Sequence, residues 1–139
     1  MIPHTLLLKA RTMEKQAIHT EDAPAAIGPY QQAIRAGQFV FTSGQIALDP
    51  KSGEFLSGEI EEETERTLEN IGAILKAAGL GFENVVKANV YLADMNHFAR
   101  MNGVYEKYFA TGKPARACVQ VAALPKGAKV EIDVIAQAG

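Results

Sequence analysis

One cysteine, Cys118, stands in a chain of 139 residues, so the chain cannot close a disulfide on itself. That fits a reducing compartment, and the cytoplasm is the expectation. Clustered positive charge is missing too: 14 Lys and Arg are scattered among 16 Asp and Glu, with a net charge of -2. A nucleic-acid partner, which needs a concentrated cationic field against phosphates, is not expected. No apolar run approaches the roughly 20 residues that cross a bilayer, and the three leucines of MIPHTLLLKART are too few for a signal-peptide core. A membrane partner is not expected either.

Chemistry-bearing patterns are also absent. His4, His19 and His97 lie far apart and form neither an HExxH nor a Cys/His set, so the sequence offers no metal site. GxGxxG, the Walker pattern and GxSxG do not occur, which leaves nucleotide binding and α/β-hydrolase chemistry without support. Internal repeats and low-complexity linkers are lacking, and the length suits one domain. The first twelve residues hold Lys9 and Arg11 and no acid. They read as a short organellar presequence, or as an upstream start with Met13 the alternative initiator. Residues 1–14 are set outside the fold, and 15–139 form a single domain.

What is present alternates in period. Gln31 to Ala36 and Phe39 to Gln45 are β-prone runs flanking Ala36-Gly37-Gln38, which predicts a hairpin. From Ile60 to Ala78 the residues Leu68, Ile71, Leu75 and Ala78 fall on one helical stripe, with Gly79 placed to end it. Glu61, Glu62, Glu63 and Glu65 crowd the start of that helix and read as a solvated face compatible with its dipole. Val85 to Leu92 predicts a strand. Asp94 or Asn96 then caps a second helix whose core stripe is Phe98, Met101, Tyr105, Tyr108 and Phe109. Ala115 to Ala122 and Lys129 to Ala136 complete a ββαβαββ order, an α+β domain with both helices on one face of a sheet. The other face needs cover, and association of copies is the expected solution.

Alternation along GKPARACVQV puts Arg116, Cys118 and Gln120 on one face of a strand and Ala117, Val119 and Val121 on the other, the second face reading as core. Arg116 needs an anion, either an internal acid or the carboxylate of a ligand. The internal candidates are Glu131 and Asp133, two apart in VEIDVIA. Glu131, bracketed by Val130 and Ile132, is expected to have a raised pKa and to suit proton transfer. Cys118 reads as a small hydrophobe, since no histidine is placed to activate it. AAIGPYQQAI, with Tyr30 after Gly28-Pro29, and FTSGQIALDP, with Ser43-Gly44, each set a hydroxyl beside a glycine, where backbone can approach a ligand.

APAAIGPY, FTSGQI, the spaced NV.YL.D.N.F...N..Y..YF pattern, PARACVQVAALPKG and VEIDVIA together resemble the RidA (YjgF) family, in order, from about residue 16 to residue 137. The resemblance implies a chorismate-mutase-like fold and a barrel-like homotrimer with a pocket in each cleft between subunits. It implies hydrolysis of enamines and imines, such as 2-aminoacrylate with its 2-iminopropanoate tautomer, or 2-iminobutanoate, to 2-oxo acids and ammonia. Pyridoxal-phosphate dehydratases would supply such compounds, while the deaminase itself needs no cofactor. Matched position by position, the family's carboxylate-binding arginine falls on Arg116, its tyrosine on Tyr30, and its serine on Ser43 beside Gly44. Its pocket cysteine falls on Cys118, its glutamate on Glu131 and its pocket asparagine on Asn102. Lys113 stands where an aromatic often precedes PAR, and Asp133 replaces a second glutamate. A regulator that holds small 2-oxo acids or other carboxylates without turnover would use the same residues, and the resemblance also brings a ribonuclease or translation-inhibitor reading attached to some family members, which the acidic composition disfavours.

Overall fold

The computed structural model describes residues 14–139, so the expectations for the N-terminal segment up to Met13 lie outside the described residues. Six strands form one sheet: β1 (Gln16–Ile18), β2 (Ala33–Ala36), β3 (Phe39–Thr42), β4 (Val85–Leu92), β5 (Ala115–Gln120) and β6 (Val130–Gln137). Their spatial order is β1-β2-β3-β6-β4-β5. All neighbours run antiparallel except β4 and β5, which are parallel because α2 (Phe98–Phe109) crosses between them. The sheet is therefore mixed. The order is βββαβαββ rather than ββαβαββ, since β1 has only three residues and no alternation long enough to read.

α1 (Ile60–Ala77) buries Ile60, Leu68, Ile71, Ile74 and Leu75. Gly79 follows it at φ +76°, a left-handed conformation that glycine adopts without a Cβ clash. The backbone N–H of Glu59 donates to Glu62 at 3.1 Å, which helps fix the helix start. Glu63 departs from the solvated acidic face. It is fully buried and accepts from the backbone N–H of Lys129 at 2.9 Å and from its Nζ at 3.2 Å. Asp94 accepts from the N–H of Asn96 at 2.9 Å and caps a 3-10 turn, Met95–His97, that leads into α2.

Both helices pack on the sheet face formed by Val40, Ala88, Val90, Leu92, Val130, Ile132, Val134 and Ala136. Alternation along β3, β4 and β6 sends Phe39, Phe41, Asn89, Tyr91, Glu131, Asp133 and Ile135 to the opposite face. No element of the described chain covers that second face, on which Phe39 and Phe41 remain exposed.

Candidate functional site

Arg116 pairs with Ala88 and Cys118 with Val90 in the parallel β4-β5 ladder. Residues opposite one another in a ladder point to the same side, so Arg116 and Cys118 lie on the helix side of the sheet. The two faces of β5 are therefore the reverse of the sequence expectation. Cys118 packs partly against the core, and Val119, assigned to the core, is 46% exposed on the open face. Alternation gives two faces but not which one the helices cover. That depends on register with β4, which is non-local.

α2 supplies a seat for Arg116. Phe98, Asn102 and Tyr105, at positions i, i+4 and i+7, share one helix face. The guanidinium carbon stands 4.7 Å from the centroid of the Tyr105 ring and 5.4 Å from that of Phe98, both within cation-π range. Arg116 Nη1 donates to Asn102 Oδ1 at 2.6 Å. Among the described residues no carboxylate lies within salt-bridge distance of Arg116. Glu131 and Asp133, the internal candidates, sit on the opposite face, where Asp133 accepts from Asn89 Nδ2 at 2.8 Å. A guanidinium has five N–H donors, and one neutral acceptor leaves most of them free. They border a cavity of about 650 Å³ lined by Asn102, Tyr105, Lys113, Pro114 and Arg116 among others.

Burial raises the Cys118 thiol above its usual pKa, against the pull of Arg116. A thiol held in its protonated form is a poor nucleophile, which agrees with the reading of Cys118 as a small hydrophobe.

The remaining expected residues form a second group. Glu131, half-buried, shares a cavity of about 360 Å³ with Tyr30, Gly44, Pro125 and Lys126. Burial, and then the neighbouring Asp133, push its carboxyl above the ordinary 4.5, as its apolar sequence neighbours predicted. Gly44 has a concrete task here. A Cβ at that position would come within 2.9 Å of Glu131 Cδ, so only glycine leaves the carboxylate its place. Ser43 Oγ donates to the carbonyl of Gln31 at 2.5 Å, and its oxygen keeps lone pairs to accept from a ligand. Tyr30 is 51% exposed, follows Gly28 at φ +128°, and borders both the Glu131 cavity and a neighbouring groove that includes Ser43.

Within one chain, then, Arg116, Cys118 and Asn102 stand together, Glu131, Gly44, Ser43 and Tyr30 stand together, and the sheet separates the two groups. Sequence reading missed Tyr105 and Phe98 as the seat of Arg116 by assigning them to the core stripe. The available signal was their spacing to Asn102 along α2.

These features define an α+β domain that holds an arginine in an aromatic cradle, without an ion-pair partner among the described residues, and carries a half-buried acid on its other face. The chain belongs to the Endoribonuclease L-PSP family, whose model matches residues 20–138; this is the RidA/YjgF family that the motifs resemble. It is 55% identical to a RutC family protein of Pyrococcus horikoshii, over 88% of this chain and 97% of that one. It is 52% identical to the 2-iminobutanoate/2-iminopropanoate deaminase of Bos taurus, over 92% of this chain and 93% of the relative. Among solved structures, Escherichia coli TdcF with bound serine matches with a TM-score of 0.84 and 43% identity, covering 89% of this chain and 99% of that one.

Proposed function

We propose that this protein hydrolyses reactive 2-imino acids, 2-iminopropanoate and 2-iminobutanoate and their enamine tautomers, to 2-oxo acids and ammonia. The observation that carries the reading is Arg116: seated on two rings, bonded to one neutral acceptor, in no salt bridge among the described residues, and facing a cavity that Glu106 and Lys113 also line. Such a group is suited to gripping a carboxylate that arrives from solution. The deaminase relatives and the amino acid bound to TdcF support a substrate of this class.

The site is assembled between copies. Arg116, Asn102 and Cys118 come from one protomer, and Tyr30, Ser43, Gly44 and Glu131 come from its neighbour. What supports this is that the two groups occupy opposite faces of one sheet, so a single chain cannot bring them together. The exposed Phe39, Phe41 and Val119 give the open face the apolar character of an interface, and a closed homotrimer provides it with cover.

In the cleft, Arg116 fixes the substrate carboxylate and thereby the adjacent C2, the electrophilic carbon. Glu131 in its ionised form takes a proton from water as the oxygen bonds to C2 and the C=N π bond opens. It returns that proton to nitrogen to give the carbinolamine, then carries the hydroxyl proton to nitrogen as the C=O bond forms and the C–N bond breaks, giving ammonia and the 2-oxo acid. The water contributes its oxygen to the product and both hydrogens to the leaving nitrogen. Ser43 and Tyr30 complete hydrogen bonds to the substrate, and no covalent intermediate is needed. Imines also hydrolyse unaided, so a modest acceleration suffices.

The supplying reactions are pyridoxal-phosphate dehydratases that release 2-aminoacrylate, and the compartment is the cytoplasm. Among the described residues, no helix is long and apolar enough to cross a membrane. The test is pyruvate release from a serine dehydratase reaction, measured against the uncatalysed rate with wild type and Arg116→Ala side by side. Acceleration by wild type alone is expected. Tight pyruvate binding without acceleration would instead favour the regulator.

A further inference from the structure

Tyr105 is 6% exposed, and its hydroxyl oxygen is close enough to the Arg116 guanidinium to accept from it, yet the hydroxyl proton has no acceptor among the described residues. A buried phenol donor ordinarily finds an acceptor, since leaving one unmade forfeits its hydration. This one stands beside a guanidinium, which has only donors to offer. The ring borders the Arg116 cavity and lies under the guanidinium itself. Burial holds the phenol above its usual pKa, against the opposing charge of Arg116, so it keeps its proton. It is a donor waiting for an acceptor that the described residues do not provide.

We propose that Tyr105 is a further ligand-binding residue: its ring carries the guanidinium of Arg116, and its hydroxyl donates to the carboxylate that Arg116 binds. A carboxylate has about four lone-pair sites and can take two N–H donors and one O–H together. The phenol then adds a third point of attachment and fixes the plane of the carboxylate, which two bonds from a side chain hinged along its stem leave less constrained. This rests on the assignment of Arg116 to a carboxylate ligand, and it adds a residue that a merely structural core tyrosine would not be.

The experiment compares wild type, Tyr105→Phe, Arg116→Lys and the double variant by kcat/KM on 2-iminopropanoate and by calorimetric titration with pyruvate. Phenylalanine keeps the ring and removes only the hydroxyl, whose proton has no acceptor, so melting temperature should hold or rise. Activity and pyruvate affinity should both fall, by roughly ten- to a hundredfold for a lost bond to a charged group. In the double variant the loss should be smaller than the product of the two single losses, because both residues act on one carboxylate. An imine without a carboxylate, made by an amine oxidase, should not distinguish Tyr105→Phe from wild type. Wild-type activity and wild-type pyruvate affinity in Tyr105→Phe would overturn the proposal, as would losses that multiply or that extend equally to the carboxylate-free imine. If wild type fails to accelerate imine hydrolysis, the proposed function falls, and the pyruvate titration still decides the role of Tyr105. Absence of pyruvate binding by wild type would end both.

Discussion

Arg116 was legible as a cation that needed an anion, and its sequence gave two acids within reach of a guess, Glu131 and Asp133. Neither is its partner, because their strand faces the other way across the sheet. Face relations between strands come from ladder register, and no local pattern encodes that. A direct consequence concerns Arg116→Lys, which keeps the charge but loses the planar fork that can grip a carboxylate at two points. It should lower kcat/KM on 2-iminopropanoate by roughly ten- to a hundredfold, with the melting temperature little changed, since no internal ion pair is broken. A large fall in melting temperature with activity retained would return Arg116 to a structural role. Glu131 makes a prediction in pH. Its folded-state carboxyl lies above 4.5, so folding favours the protonated form. That contribution is complete below the ordinary carboxylate value and is lost as pH rises through the raised one. Over the same window kcat/KM should increase, because a base must be ionised to accept a proton. Glu131→Gln should bring the rate down to near background and remove the share of the pH dependence of stability that Glu131 contributes, as read by initial rates and by melting curves from pH 4 upward. Gly44→Ala should lower activity by displacing Glu131, while leaving the opposite face and Arg116 in place, so that kcat/KM falls and pyruvate titration is little changed.

Elements with sustained periodicity were the most readable. The α1 stripe and the Val85–Leu92 strand appear where their patterns put them, since burial of one helical face or alternate strand positions is a local consequence of the chain's own spacing. β1 escaped notice because three residues cannot display a period, and its existence depends on pairing with β2. The acidic start of α1 illustrates another limit. Four glutamates look alike in sequence, but Glu63 alone turns inward to hold both the backbone and the side chain of Lys129, where β6 begins. This bond ties α1 to the strand that carries Glu131. Glu63→Ala leaves the Lys129 N–H without its acceptor and opens space in the core, so it should cost about 2–3 kcal/mol in stability. Chemical denaturation would measure this, and an unchanged midpoint would mean that water replaces the carboxylate. The seat of Arg116 was half visible: the stripe on α2 was read as core, and its second task, holding a cation, emerges only once β5 lies beside it.

At the scale of the whole molecule, the need for a covered second face was readable from two helices and one sheet, and the open face carries exposed Phe39, Phe41 and Val119. Which residues would meet across that cover was not readable without the fold, because the division of the site follows from the two faces of a single sheet. The account's central claim is that Arg116 of one copy and Glu131 of another serve one substrate. Complementation tests it. Arg116→Ala and Glu131→Gln are purified separately, each inactive, then unfolded together in equal amounts, refolded, and assayed for 2-iminopropanoate hydrolysis. Random mixing in a closed ring of three puts an intact Arg116 beside an intact Glu131 in about a quarter of the clefts, so roughly a quarter of the activity of refolded wild type should return. Mixed assemblies that form, as judged by mass, but remain as inactive as either parent would contradict a site shared between subunits.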